Sequence, residues 1–449
     1  MNKSNTLTQG PIFKSLFVFS LPMIILNLLQ MLFHMTDTAI LGVFSSDADV
    51  AAVGACGSLV SILTFVVMGY SSAANVVISK RIGAQDKDGA RRACGTAIVM
   101  GLLSGVLLMV IVLIFSRTFL TITNCQPEIL DSADLYMKIY FLGMPITMLY
   151  NFIASILRAS GDSVSPMVYM IISGILNVIL NVLFVVVLKM TVSGVAIATV
   201  IANAVSLVLS IIKLSKDKDY CKIERKNIKL FKEETLEIFI IGIPSCIAAL
   251  GFYLGEVIVV SAVNSLGTNA MAGNAVSSQI DRINYTVGSS VAAAVGIMVS
   301  QNFGAGRFDR IRKLVRVGAI YCMITTMLVG LLMLSISGIA LDMLADSQAV
   351  IELAKERLYF VTLTNFITST MEIFSNSVRS LKRPRFLLIV GIICGFLIRG
   401  CWTWFVWPLR KTITFLFVCL PLSTFVGSLI HYVVYRKAVK REEELAKLY

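Results

Sequence analysis

Four acidic residues lie inside long apolar stretches of the chain, at Asp37, Glu256, Asp281 and Glu372. A charged side chain at the centre of a membrane costs about 2.5–3.5 kcal/mol on insertion scales, so each carboxylate needs a compensating group. A proton, a metal ion or a cationic ligand can supply that compensation. No buried cation lies close in sequence to Asp37, Glu256 or Glu372. We therefore expect each of these three residues to bind a proton, a metal ion or a cationic ligand, with a sodium ion as one candidate at Glu256 and Glu372.

Asp281 is different because Arg282 follows it directly. The two side chains could form a structural ion pair, although adjacent residues of a helix point about 100° apart. Alternatively, Asp281 and Arg282 line a substrate cavity. His34 shares a helical face with Asp37 and is a candidate proton partner, or simply a hydrogen-bonding neighbour.

Polar residues around these acids recur at helical spacing. Asn27, Gln30, His34 and Asp37 stand at i, i+3, i+7 and i+10, which is one helical face. Such a stripe must face other helices or a water-filled cavity. Alternatively, the polar side chains of such a stripe form interhelical hydrogen bonds, which are worth only about 0.6 kcal/mol each. The predicted cavity-lining residues are Asn27, Gln30, His34, Asn177, Asn181, Tyr253, Asn274, Gln279, Asp281, Arg282 and Asn376.

The elements that carry these residues are membrane-length apolar segments. The chain is 57% hydrophobic and 14% charged, whereas a soluble protein carries about 25% charged residues. We predict an all-α membrane protein with twelve transmembrane helices. The predicted spans are 16–44, 50–78, 93–116, 135–157, 165–188, 192–212, 235–264, 270–303, 314–342, 353–380, 386–408 and 412–435.

The two halves of the chain resemble each other. Ser79-Lys80-Arg81-Ile82-Gly83-Ala84-Gln85 matches Ser300-Gln301-Asn302-Phe303-Gly304-Ala305-Gly306, and Gly83 and Gly304 are 304 − 83 = 221 residues apart. We predict two six-helix bundles related by an internal repeat, at residues 1–222 and 223–449. A duplicated bundle that rocks around a central cavity is a common design of secondary transporters.

Basic residues are distributed unevenly between the loops. Of the 39 Lys and Arg residues, the predicted topology puts about 30 on the cytoplasmic side and about seven outside, Arg357 among the latter. Both termini are therefore predicted to be cytoplasmic. The same bias explains the net charge of +13 without any nucleic-acid partner.

Enzymatic motifs are not found in the sequence. We find no HExxH, GxSxG or paired-aspartate motif at a span, and no Cys/His spacing typical of a metal or disulfide framework. We expect no enzyme activity and no cofactor beyond a coupling ion. A sensor would need a sizeable soluble output domain, and no segment is long enough for one.

From about Leu16 to Arg436, the chain resembles the multidrug and toxic compound extrusion (MATE) transporters. The resemblance rests on these segments: Phe19-Ser20-Leu21-Pro22, Thr36-Asp37-Thr38-Ala39-Ile40-Leu41-Gly42, Ser79-Lys80-Arg81-Ile82-Gly83-Ala84, Arg158-Ala159-Ser160-Gly161-Asp162 and Gln301-Asn302-Phe303-Gly304-Ala305-Gly306.

The resemblance implies a multidrug antiporter that expels small organic cations in exchange for sodium ions or protons. It implies coupling roles for Asp37, Glu256 and Glu372, an arrangement closer to the NorM-like branch than to the archaeal DinF-like branch. The DinF-like second acid is absent, because Asn177 and Asn181 stand on that helix. We expect a monomer in the inner membrane of a bacterium. A lipid or oligosaccharide flippase of the same superfamily is the alternative.

Overall fold

The computed structural model describes residues 7–123, 125–217, 219–222, 224–344 and 347–447, and this part of the chain contains helices and turns but no strand. The chain is therefore all-helical, as predicted. Both chain ends, predicted to be cytoplasmic, lie outside the described residues.

The first half of the chain forms seven helices. They are α1 Ile12–Phe44, α2 Asp47–Gly83, α3 Lys87–Ile122, α4 Pro127–Leu142, α5 Met144–Ala159, α6 Val164–Asn181 and α7 Thr191–Ser215. A π-helical segment, Val182–Val187, continues α6, and a 3-10 turn, Arg225–Asn227, lies in the charged linker that follows α7.

The second half begins with four long helices, continues with three short ones and ends with the 28-residue helix α15. They are α8 Lys232–Asn264, α9 Thr268–Gly304, α10 Phe308–Leu344, α11 Gln348–Ser380, α12 Arg385–Val390, α13 Arg399–Cys401, α14 Ile413–Phe417 and α15 Cys419–Ala446. Two π-helical segments, Gly391–Ile398 and Trp402–Val406, flank α13, and a 3-10 turn Trp407–Leu409 follows.

Nine helical segments of the described chain are long and apolar enough to cross a membrane, or ten if α4 and α5 form one bent span. Their outer faces carry exposed apolar side chains such as Leu107, Ile114 and Leu328, which lipid can cover. Helix α11 is 33 residues long but is not among the nine. The full set of twelve spans therefore remains a prediction.

Prolines affect the helices in two ways. Helices α4 and α5 meet at an angle of 45° across Gly143, and Pro145 occupies the first turn of α5. Proline at that point needs no backbone hydrogen bond. By contrast, Pro22 and Pro244 lie inside α1 and α8, which each continue past the proline.

Four turns repeat the same backbone geometry at a fixed interval. Gln85 and Gly306 have φ of 59° and 66°, and Gly161 and Lys382 have φ of 90° and 56°. The members of each pair are 221 residues apart, since 306 − 85 and 382 − 161 give the same difference. In each turn the left-handed residue ends a helix, as helix C-terminal motifs require.

The chain divides into two compact units. Unit 1 contains residues 25–242 and unit 2 contains residues 7–24 and 243–447 of the described chain. This division differs from the predicted boundary between residues 222 and 223. Inside unit 1, Arg92 on α3 pairs with Glu234 in the first turn of α8 at 2.9 Å. Inside unit 2, Asn302 Nδ2 donates to the Leu7 carbonyl at 3.1 Å.

Candidate functional site

The carboxylate of Asp37 lies in unit 1 between α1, α6 and α7. Asn181 Nδ2 donates to Asp37 Oδ1 at 2.6 Å, and the Thr199 hydroxyl is 3.4 Å from Asp37 Oδ2. Asn177 completes the group, because its Oδ1 accepts from Asn181 at 3.1 Å and its Nδ2 lies 3.4 Å from Thr199 Oγ1. We call Asp37, Asn177, Asn181 and Thr199 the Asp37 cluster.

The sequence positions this cluster through close helix packing. A Cβ atom on Gly174, one turn before Asn177, would overlap the ring of Phe33 on α1. Glycine at this position therefore allows α1 and α6 to approach each other. Asn181 ends the regular α6 helix, and a π-helical segment starts at the next residue. Such π-segments occur frequently at functional sites.

Every hydrogen-bond partner of Asp37 in the described chain is neutral. No Lys, Arg or His of the described residues forms an ion pair with it. Tyr136 and Tyr140 on α4 stack with ring centroids 6.0 Å apart and lie within electrostatic reach of the carboxylate. Asn181 Oδ1 is buried and accepts no hydrogen bond. The cluster therefore combines one negative charge with several oxygen atoms that can accept a proton or bind a hard cation.

Glu256 in unit 2 has a cationic partner. Arg399 Nη1 donates to Glu256 Oε2 at 3.2 Å, and Arg399 Nε donates to Ser423 Oγ at 3.3 Å. The Arg399 guanidinium also lies over the Phe252 ring, 5.4 Å from its centroid. Its side chain is only 9% exposed, whereas that of Glu256 is 46% exposed. Arg399 therefore balances the negative charge on one side of the Glu256 carboxylate, and the other side is exposed.

Glycines bring Arg399 close to α8. A Cβ atom on Gly255 would overlap the Gly395 carbonyl oxygen, and one on Gly391 would overlap α8 at Ala248. The backbones of α8 and of the π-helical segment Gly391–Ile398 can therefore touch directly. This close contact places the Arg399 side chain beside Glu256.

Glu372 on α11 is held by an amide rather than by an arginine. Asn376 Nδ2 lies 2.9 Å from the Glu372 carbonyl and 3.4 Å from its Oε2. Arg379 Nη1 donates to Asn376 Oδ1 at 2.9 Å, and its Nε donates to Ser245 Oγ at 3.2 Å. Arg379 therefore acts on Glu372 through Asn376, without an ion pair in the described chain.

The cation near Asp281 is Arg357 rather than Arg282. Arg357 is 4% exposed, attracts Asp281 electrostatically, and lies over the Phe417 ring at 4.9 Å. Asp281 Oδ1 is buried and makes no hydrogen bond. Arg282 is exposed, and no ion pair between it and Asp281 exists in the described chain, because adjacent residues point in different directions.

The remaining predicted cavity residues are spread along three helices. Asn27, Gln30, Tyr253 and Asn274 are half-buried, whereas His34 and Gln279 are exposed. None of them is hydrogen-bonded to the acids in the contacts described above. The structure thus groups Asn177 and Asn181 with Asp37, and Asn376 with Glu372.

Three important side chains were missed or misplaced by the sequence analysis. Thr199 gave no signal, because threonine is common in membrane helices. Arg399 was not paired with Glu256, although the need of Glu256 for a counterion could have paired the two. Arg357 was counted among the residues on the outer side of the membrane, but it is buried in α11.

Metal-binding groups of the usual kind are absent from the described residues. No three His, Cys, Asp or Glu side chains converge there into a group that could hold a metal ion. Sodium at Glu256 or Glu372 would therefore need hydroxyl, amide or carbonyl oxygens as its other ligands. The Asp37 cluster already offers such oxygens.

Comparison with protein families gives a match to the MatE family model over residues 22–183 and 244–403. The "Probable multidrug resistance protein YoeA" of Bacillus subtilis (strain 168) is 27% identical over 367 residues, which cover 80% of this chain and 79% of that protein. The "Multidrug export protein MepA" of Staphylococcus aureus (strain bovine RF122 / ET3-1) is 25% identical over 397 residues, 87% of this chain and 86% of that protein.

Solved structures share the fold. One described as the "Outward-facing conformation of a multidrug resistance MATE family transporter of the MOP superfamily" superposes with a TM-score of 0.92 at 18% identity, covering 99% of both chains. The "bent form" of the Vibrio cholerae MATE transporter VcmN superposes with a TM-score of 0.88 at 20% identity, covering 98% of this chain and 99% of that one.

Proposed function

This chain belongs to the MatE family, and we propose that it is a secondary active antiporter that exports organic cations and drugs in exchange for sodium ions or protons. It is a multi-pass membrane protein and not an enzyme. The flippase alternative is not favoured, because the curated relatives named above are multidrug resistance and export proteins.

The observation that carries the proposal is the Asp37 carboxylate with only neutral partners in the described chain. A carboxylate in an apolar surrounding is stable only with a positive charge or a bound proton beside it. The residues that the structure describes supply no such cation at Asp37. A proton or a sodium ion from solution would complete the site.

Coupling then follows from competition. A sodium ion or proton that binds at Asp37 stabilises the conformation in which the cluster is closed, and a lipophilic organic cation favours another conformation. Two ligands that prefer different conformations drive each other's release without any covalent step. Glu372, with no ion pair in the described chain, and Glu256, whose exposed face is open, are our candidates for the contacts with cargo or with a second coupling ion.

The oxygen atoms of the Asp37 cluster are compatible with either a sodium ion or a proton. Asp37, Asn177, Asn181 and Thr199 would hold sodium through carboxylate, amide and hydroxyl oxygens, which are ligands that hard cations prefer. The same carboxylate can instead carry a proton. Both ions remain part of the proposal.

We propose alternating access by two repeated six-helix bundles. The repeated turns, and helix pairs such as α2 and α9 whose bounds differ by 221 residues (268 − 47 and 304 − 83), support a duplication. The family match begins at Pro22 and again at Pro244, and each proline lies within three residues of a boundary between units. Helices α1 and α8 are therefore our candidates for the moving elements.

The rest of the assignment follows from the sequence and the relatives. We propose a bacterial inner membrane, with both termini in the cytoplasm, and a functional monomer. The relatives come from Bacillus and Staphylococcus. The Asp37, Glu256 and Glu372 set still favours the NorM-like arrangement of acids.

Gradient-driven efflux tests this proposal. The full chain is reconstituted into liposomes loaded with a fluorescent organic cation, and a sodium gradient or a pH gradient is imposed separately. We expect one gradient to accelerate efflux relative to liposomes without protein. Efflux that responds to neither gradient would contradict the antiport.

A further inference from the structure

A groove in unit 2 runs between the start of α12 and the last turns of α15. It encloses about 550 Å³ and is separate from all the acids described above. Its walls are apolar at one end and basic at the other. The residues that matter are Phe386, Leu429 and Val433 at the apolar end, and Arg383, Lys437 and Arg441 at the basic end.

The change from apolar to basic runs along one face of α15. Leu429, Val433, Lys437 and Arg441 are each four residues apart, so their side chains form one row. At 1.5 Å per residue this row is roughly 18 Å long. A phosphate group with most of an attached acyl chain has a similar length.

The apolar end is open to its surroundings. Phe386, Leu429 and Val433 are 38%, 50% and 49% exposed. In a bilayer, acyl chains cover such side chains. An apolar groove that opens to lipid and ends at basic residues therefore fits an amphipathic ligand that is itself part of the membrane.

Charge at the basic end favours an anion. Arg383 Nη2 pairs with Glu442 Oε1 at 2.8 Å, whereas neither Lys437 nor Arg441 forms an ion pair among the residues that the structure describes. Three cations against one carboxylate leave an excess of two positive charges. A phosphodiester with no other charge brings one negative charge to this excess, whereas a zwitterionic headgroup would add a cation to it.

We propose that this groove binds an anionic glycerophospholipid of the cytoplasmic leaflet. The lipid phosphate contacts Lys437 and Arg441, and an acyl chain lies along Leu429, Val433 and Phe386. Basic pockets between transmembrane helices on the cytoplasmic side bind such headgroups in general. The predicted orientation of α15, with its basic C-terminal end in the cytoplasm, places the groove in that leaflet.

Native mass spectrometry of the full detergent-purified chain tests the site. Phosphatidylglycerol and phosphatidylcholine with the same acyl chains are titrated in turn. We expect retention of phosphatidylglycerol, and about 30-fold weaker binding in the double variant Lys437→Gln/Arg441→Gln, since each surface cation contributes about a fivefold effect. The matched control is Lys440→Gln/Lys447→Gln, which removes two highly exposed cations of α15 outside the groove and should bind like the unchanged chain.

A third variant acts in the opposite direction. Glu442→Gln removes the carboxylate that pairs with Arg383, so phosphatidylglycerol should bind about fivefold more tightly. Equal retention of both lipids, or equal loss in the test and control double variants, would overturn the proposal. So would retention of free glycerol phosphate as strongly as the lipid, because the apolar wall would then contribute nothing. None of these variants touches Asp37, Glu256 or Glu372, so their outcome is independent of the antiport.

Discussion

Asp37 in unit 1 and Glu256 in unit 2 are both carboxylates on long membrane helices, but their partners differ in charge. Asp37 is held by the Asn181 amide and the Thr199 hydroxyl, and Glu256 is paired with Arg399. Among the described residues the first site has no cationic partner, whereas the second has one. A carboxylate in an apolar stretch is therefore not by itself a coupling site, and its nearest partner decides which role it can take.

The largest effect is expected from Asp37→Asn. This change removes the only negative charge of the Asp37 cluster and keeps the shape of the side chain, so gradient-driven efflux in liposomes should fall to the rate of protein-free liposomes. The matched control is Asp342→Asn, at an exposed position near the end of α10, which should keep the full rate. Coupled efflux by the Asp37 variant would refute the assignment of coupling to unit 1.

Arg399→Gln should make the surroundings of Glu256 resemble those of Asp37, because the arginine partner of Glu256 is replaced by a neutral side chain. It leaves Glu256 without its cation, and we expect the loss of about 1–2 kcal/mol of stability, less than for a fully buried pair because Glu256 is 46% exposed. The measurement is the melting temperature of the purified protein. This temperature should also rise more steeply with sodium than in the unchanged chain. The double variant Glu256→Gln/Arg399→Gln serves as the control and should melt above the single Arg399→Gln variant. An equal or lower melting temperature would show that the pair carries no interaction.

Thr199→Val tests the neutral partners of Asp37. The substitution keeps the volume of the side chain and removes its hydroxyl, so the apparent affinity for the coupling ion should weaken about fivefold, the effect of one hydrogen bond. Efflux rates measured over a range of sodium or proton concentrations give this affinity. Thr364→Val is the control, since among the described residues the Thr364 hydroxyl bonds only to backbone carbonyls of its own helix. The same loss in both variants would exclude a specific role for Thr199.

The smallest effect concerns the repeated turns of the two halves. Gly306 and Gln85 adopt the same left-handed backbone, at φ 66° and 59°. We expect Gly306→Ala to cost about 1 kcal/mol, because a side chain is strained in this conformation. Gln85→Gly should be neutral or slightly stabilising, since relief of strain offsets the entropy of glycine. Melting temperatures of the two variants measure the difference. A stable Gly306→Ala variant would mean that the turn relaxes.

Much of the fold could be predicted from apolar length and turn residues. The predicted span 235–264 corresponds closely to α8 Lys232–Asn264, and 270–303 to α9 Thr268–Gly304. The π-helical segments around Arg399 were not predicted, because their sequence is as apolar as that of a regular helix. The division into compact units depends on contacts such as Asn302 to Leu7, which no local pattern encodes.

The candidate site was predictable in its charges but not in its pairings. The cost of a charge in hydrocarbon identifies Asp37, Glu256, Asp281 and Glu372 from sequence alone. Their partners Thr199, Arg399 and Arg357 come from helices far away in sequence. Helical spacing predicts which residues share a face, but not which helix that face meets.

The most direct test of the central claim is ion release from the purified protein. The chain is loaded with sodium or with protons, an organic cation is added, and the released ion is measured with a sodium electrode or a pH indicator. The account predicts release from the unchanged chain and from Asp342→Asn, and none from Asp37→Asn. Release that persists in Asp37→Asn and disappears in Glu256→Gln would contradict it and would move the exchange site to unit 2.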